Sequence, residues 1–99
     1  MSAVRIRVGP GDDVAALVRA AEGESVLVLL DAGLDPVPLA QARAAIGPLA
    51  IERAPATRVN AVVAGTGTRN QSVEAAAAFL ERARSTTGQV LDVSSDGGA

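Results

Sequence analysis

The residues best placed to meet a small molecule are Thr66, Gly67, Thr68 and Arg69, which follow the apolar run Val59 to Val63. Two hydroxyls, a glycine that lets backbone approach a ligand, and a guanidinium stand at the carboxyl end of a predicted strand. That is the side on which open α/β sheets bind their ligands. The same four residues also read as a short glycine turn with an exposed arginine. Val8-Gly9-Pro10-Gly11 ahead of a helix has the outline of a phosphate loop. Asp12 and Asp13, however, put negative charge where a phosphate would dock, and Pro10 removes an amide donor, so a plain strand-to-helix turn is expected. The clustered carboxylates are Asp12 with Asp13, Glu22 with Glu24, and Asp31 with Asp35. With no histidine beside them, capping and solubility are their expected roles, and no metal site is predicted.

Inventory narrows the chemistry further. The 99 residues contain no Cys, His, Lys, Tyr or Trp. Disulfides, thiolate metal sites, Schiff bases and the usual general bases are thereby excluded, leaving carboxylates, hydroxyls and nine arginines. A net charge of −2 without a basic run, and with Phe79 as the one aromatic residue, argues against nucleic-acid binding. No apolar run reaches the roughly 20 residues that span a bilayer, and the first residues have no apolar secretory core, so a soluble cytoplasmic protein is expected.

The elements that must position these residues follow from periodicity. A single domain over 1–99 is expected. Val4 to Val8 alternates apolar and charged residues, as a strand with one face covered or at a sheet edge does. From an Asp12 cap, Val14, Leu17, Val18 and Ala21 make one helical face, with Gly23 as the closing cap. Ser25 to Leu30 is a continuous apolar run that fits a strand buried on both faces. A helix is predicted from Leu39 to Arg53 with Ala42, Ile46, Leu49 and Ala50 inward, kinked or split at Gly47-Pro48. Val59 to Val63 is the third strand. A helix capped by Ser72 runs to about Arg84 with Val73, Ala76, Ala77, Leu80 and Ala83 as its stripe, and Gln89 to Val93 is the last strand. Residues 94–99 form a polar tail expected to fray. The alternation β-α-β-α-β-α-β predicts a four-stranded parallel sheet with three crossover helices, all crossovers right-handed.

Several short motifs in this order resemble the short-chain dehydrogenase/reductase family from about Ser25 to Gly98. They are Ile51-Glu52-Arg53-Ala54-Pro55, Arg58-Val59-Asn60-Ala61-Val62, Ala64-Gly65, Phe79-Leu80, Thr87-Gly88-Gln89-Val90-Leu91 and Asp96-Gly97-Gly98. The resemblance implies the last half of a doubly wound Rossmann-like domain, without the half that holds the dinucleotide. It also puts Leu39 at the family's catalytic tyrosine and Arg43 at its lysine. The family's serine falls near Leu30-Asp31, and neither residue supplies a hydroxyl. The long substrate lid that follows the family's Pro-Gly is replaced by the six residues between Gly65 and Ser72.

No catalytic residue is therefore assigned. Thr66, Gly67, Thr68, Arg69 and Arg43 are the candidates for contact with a cofactor, Arg43 toward a ribose or phosphate. The expected protein is an inactive relative, without a cofactor, that acts through self-association or as a partner of a full-length dehydrogenase. The alternative is an NAD- or NADP-dependent oxidoreductase, or a nucleotide binder, with a site shared across an oligomer. A core built from Ala, Val and Leu, and an edge strand covered in full-length relatives, point to a homodimer.

Overall fold

The computed structural model describes residues 3–94. Asp96-Gly97-Gly98 and nearly all of the expected tail lie outside the described residues. The elements run β1 (Ala3–Arg7), α1 (Val14–Ala20), β2 (Ser25–Asp31), α2 (Pro36–Arg53), β3 (Arg58–Ala64), α3 (Asn70–Arg82) and β4 (Val90–Val93). All neighbouring strands pair parallel, in the linear order β1-β2-β3-β4. This is the four-stranded half of a Rossmann-like fold.

The apolar runs fix the interior. Successive side chains of a strand point to opposite faces, so a central strand in a three-layer fold is apolar on both faces except where a buried polar side chain is hydrogen-bonded. Val26, Val28 and Leu30 of β2, with Val59, Ala61 and Val63 of β3, pack under α1 and α2. The intervening Leu27 and Val62 pack under Ala77 and Leu80 of α3 on the other face. The predicted inward set of α2, Ala42, Ile46, Leu49 and Ala50, is buried as expected. Phe79, the sole aromatic residue, is 56% exposed, so the core consists of aliphatic side chains.

Element boundaries depart from expectation where local hydrogen bonds decide them. Asp13 rather than Asp12 caps α1, accepting from the Ala16 amide at 3.2 Å. Asp12 instead turns back, and its carboxylate accepts from the Gly9 amide at 2.8 Å. Helix α1 closes at Ala21, not at Gly23. Its last carbonyls are met by Arg53, which donates to Val18 at 2.6 Å and to Ala21 at 2.9 Å. Helix α2 begins at Pro36, earlier than predicted, because prolines are tolerated in a first turn whose amides have no helical partner. It is also one helix, not two. Pro48 lies inside it on the exposed side, where the carbonyl it leaves free can reach water, while Ile46, Leu49 and Ala50 bury on the other side. Helix α3 starts after Arg69 and ends at Arg82, so Ser72 is inside it.

The connection between β3 and β4 corrects the expectation of uniform handedness. All three crossovers step to the next strand in the same direction, so a common hand would place all three helices on one face. Helices α1 and α2 share a face, and α3 lies on the opposite one. The third crossover therefore has the opposite hand to the first two. With those two right-handed, as nearly all are, the third is left-handed. Burial supplies the reason, since α1 and α2 already cover one face and only α3 is left to shield Leu27 and Val62 on the other.

Candidate functional site

The carboxyl ends of the strands carry the β1–α1, β2–α2 and β3–α3 loops, which surround an open groove of about 1180 Å3. Thr66, Gly67 and Thr68 line it, together with Gly9, Asp31 and Arg7. The groove continues onto the α3 face past Val73 and Glu74. Gly67 has φ of +78°, the left-handed region a glycine adopts without penalty, and the Thr68 amide closes the turn onto the Gly65 carbonyl at 3.0 Å.

The sequence candidates divide in two. Thr66, Gly67 and Thr68 are brought together at the groove, although the Thr68 hydroxyl is already committed, donating to the Val93 carbonyl at 3.2 Å. Arg69 occupies the N-cap position of α3, exposed, and makes no side-chain capping bond. Arg43 is elsewhere. From α2 it reaches the Asp92 carboxylate of β4 with two parallel bonds of 2.7 and 3.0 Å. That bond raises the Arg43 pKa and lowers that of Asp92. Leu39, at the position of the family's tyrosine, packs against the α1–α2 core.

Gly65 has a packing role that the sequence showed only as a motif letter. A Cβ there would stand 3.0 Å from the Val93 carbonyl and 3.3 Å from the Thr68 hydroxyl. Its amide donates to the same Val93 carbonyl at 2.8 Å. The glycine thus lets the end of β3 close against β4.

The β1–α1 loop does not fit a dinucleotide pyrophosphate. A phosphate cradle needs free amides converging on an anion. The Gly9 amide is taken by Asp12, whose carboxylate would repel the phosphate. Asp31 likewise turns on its own chain, accepting from the Gly33 amide at 2.7 Å. No group of three or more His, Cys, Asp or Glu residues among the described residues could hold a metal ion.

The opposite, amino-terminal end of the sheet shows what the family-like motifs do. Arg58 donates to the carbonyls of Leu80 and Ala83 at 3.2 and 3.0 Å and to that of Glu81 at 3.2 Å, closing the end of α3. Asn60, 1% exposed, donates to the Thr86 carbonyl at 3.1 Å and accepts from the Gln89 amide at 3.0 Å. The Thr87 hydroxyl accepts from the Val59 amide at 3.0 Å, and the Gly88 amide donates to the Val59 carbonyl at 2.7 Å. Arg58-Val59-Asn60 and Thr86-Thr87-Gly88-Gln89 therefore form one lock, assembled from segments far apart in sequence.

A further cluster, unanticipated from the sequence, joins β1 to α3. Arg5 donates to both oxygens of Glu81 at 2.8 and 2.9 Å and to Glu74 at 2.7 and 2.8 Å. These bonds hold both glutamates below their ordinary pKa, against an opposing contribution from desolvation. The alternation of Arg5 and Arg7 marked this face of the strand, but only the position of α3 gives Arg5 its acidic partners. Among the described residues, no helix is long and apolar enough to cross a membrane.

No curated protein and no solved structure matched the chain. The order of motifs, the parallel half-sheet and the motif lock agree with the family model that does match, SDR-like, described as short chain dehydrogenase-like protein, over residues 11–93, and the chain belongs to that family.

Proposed function

We propose that this short-chain dehydrogenase-like protein does not carry out hydride transfer and acts in the cytoplasm through association, either with itself or as a subunit beside a larger dehydrogenase. One observation carries the reading. The groups at the positions of the family's catalytic machinery are engaged elsewhere or cannot move a proton: Arg43 is bound to Asp92, and Leu39 is part of the apolar packing. Leucine has no titratable atom, so a carbonyl or alcohol bound nearby would have no acid or base there. Asp12, by capturing the Gly9 amide, adds to the same reading.

The test is a titration with NADH and NADPH followed by nucleotide fluorescence, which a chain without Trp or Tyr leaves almost free of background. The expected result is no saturable binding at concentrations up to about a millimolar, a threshold near −4 kcal/mol of binding free energy. Saturable binding below that threshold would overturn the reading. It would favour the second one, a nucleotide-binding oxidoreductase whose site is completed across an oligomer. The observation behind that alternative is the placement of Thr66, Gly67 and Thr68 on the groove at the ligand side of the sheet.

A further inference from the structure

We propose that the free edge of β1 is a self-association surface, on which a second copy of this chain adds its own β1 antiparallel, with Arg5 of one copy opposite Arg5 of the other. The proposal rests on the association reading above and gives it a surface, an occupant and a register.

Three independent features converge on this register. The first is hydrogen-bond parity. Strand β1 stands at an edge of the sheet and pairs with β2. The Val8 amide donates to the Leu29 carbonyl, so Val8, and by alternation Ile6 and Val4, direct their backbone groups toward β2. The amides and carbonyls of Ala3, Arg5 and Arg7 therefore face outward. An antiparallel partner centred on Arg5 pairs Ala3 with Arg7, Arg5 with Arg5 and Arg7 with Ala3. Every outward group of the strand is then used, whereas centring on Val4 or Ile6 strands one end.

The second feature is apolar pairing. The same register places Val4 of one copy opposite Ile6 of the other on the α1 face. Both are half-buried in the single chain, and closely spaced β-branched pairs of this kind stabilise antiparallel ribbons.

The third is charge. Directly opposed arginines would normally oppose such pairing. Arg5, however, is drawn back over its own sheet by Glu74 and Glu81 of α3, and this cluster sets one guanidinium against two carboxylates. Arg7, on the same face, has no ion-pair partner among the described residues. In the proposed register Arg7 lies beside the small side chain of Ala3 of the second copy. There it faces that copy's Arg5–Glu81 cluster, which has the negative charge to receive it. Of the two charges that would guard this edge, Arg5 is thus held back over its own sheet and Arg7 is received across the interface.

The test combines sedimentation with disulfide mapping, which a chain without cysteine makes unambiguous. Wild-type protein is expected to show a reversible monomer–dimer equilibrium. Val4→Cys and Ile6→Cys chains, mixed and oxidised, are expected to give a mixed cross-linked dimer, with neither variant cross-linking well alone, because only the Val4–Ile6 pairing brings the β-carbons within disulfide range. Arg7→Pro removes an outward amide and leaves the β2 ladder untouched, and should weaken the dimer about tenfold or more.

A monomer throughout the micromolar range would overturn the edge interface. So would a dimer that survives Arg7→Pro unchanged and yields no mixed cross-link. Neither result bears on the nucleotide titration, which tests whether the chain binds a dinucleotide, and a monomer would leave the partner-subunit form of the reading standing. If Arg7→Pro fails to fold, the mixed cross-link alone decides the register.

Discussion

The two ends of the sheet differ in how their polar groups are spent. At the amino-terminal end, Arg53, Thr57, Arg58, Asn60 and Thr87 bond across elements, to helix ends and loops many residues away in sequence. At the carboxyl-terminal end the carboxylates of Asp12, Asp13 and Asp31 each turn back on their own loop, to amides within three residues, and the Thr68 hydroxyl reaches across to β4. The first kind of bond holds layers together, and the second only shapes a turn. Two of the motifs that make the chain look like a dehydrogenase, Arg58-Val59-Asn60 and Thr87-Gly88-Gln89, meet at the first end, while Ala64-Gly65 lies at the second. Catalysis in an open α/β sheet belongs at the second. Resemblance can therefore persist through packing constraints alone.

Substitutions at the locked end should cost most. Asn60→Ala removes a buried amide that satisfies both the Thr86 carbonyl and the Gln89 amide. A loss of about 2 to 3 kcal/mol is expected, read as a lowered urea midpoint. Arg58→Met keeps the apolar stem and deletes the cap on α3. The expected loss is about 1 to 2 kcal/mol, with amide exchange rising first in the last turn of that helix.

The link between β1 and α3 lets the comparison be sharpened by pH. Glu74 and Glu81 have folded pKa values held below the ordinary glutamate value of 4.5 by Arg5. Their contribution to stability is therefore present above that pH and is lost as pH falls through the lowered folded values. In Arg5→Gln the part of the acid-induced destabilisation that belongs to these two groups should disappear. Urea midpoints compared at neutral pH and well below pH 4.5 would show it as a flatter dependence than in the wild type.

At the groove the smallest effects are expected. Thr66→Ala and Arg69→Ala, both at exposed positions, should change stability by no more than about 0.5 kcal/mol. A larger loss would mean that the loop is as interlocked as the opposite end and would break the contrast.

Much of the fold was legible because burial leaves a periodic trace. The runs at β2 and β3, and the spacing of Ala42, Ile46, Leu49 and Ala50, gave strands and a helix face that the structure retains. Helix ends were less legible. Asp12 and Asp13 are chemically equivalent as caps, and a local turn bond at Gly9 decided between them. The expectation of a kink or a split at Pro48 weighed a lost backbone bond without the packing on the opposite side of the helix, and the helix runs through Pro48 undivided. Of the candidate site, the grouping of Thr66 to Thr68 was visible as a loop after a strand. The capture of Arg43 by Asp92 was not, since 49 residues separate them and only the register of β4 brings them together.

The sequence by itself determined a parallel half-sheet with helices between its strands, and a chemistry without histidine, cysteine, lysine or tyrosine. Apolar periodicity and side-chain inventory are local properties that one chain displays in full. Only the tertiary structure decided that α3 crosses to the opposite face, that Arg5 is spent on two glutamates while Arg7 has no ion-pair partner among the described residues, and that Arg58 and Asn60 form a lock with residues 86–89. Each of these depends on which faces remain uncovered once the other helices are in place, a constraint that belongs to the assembled layers and to no single segment.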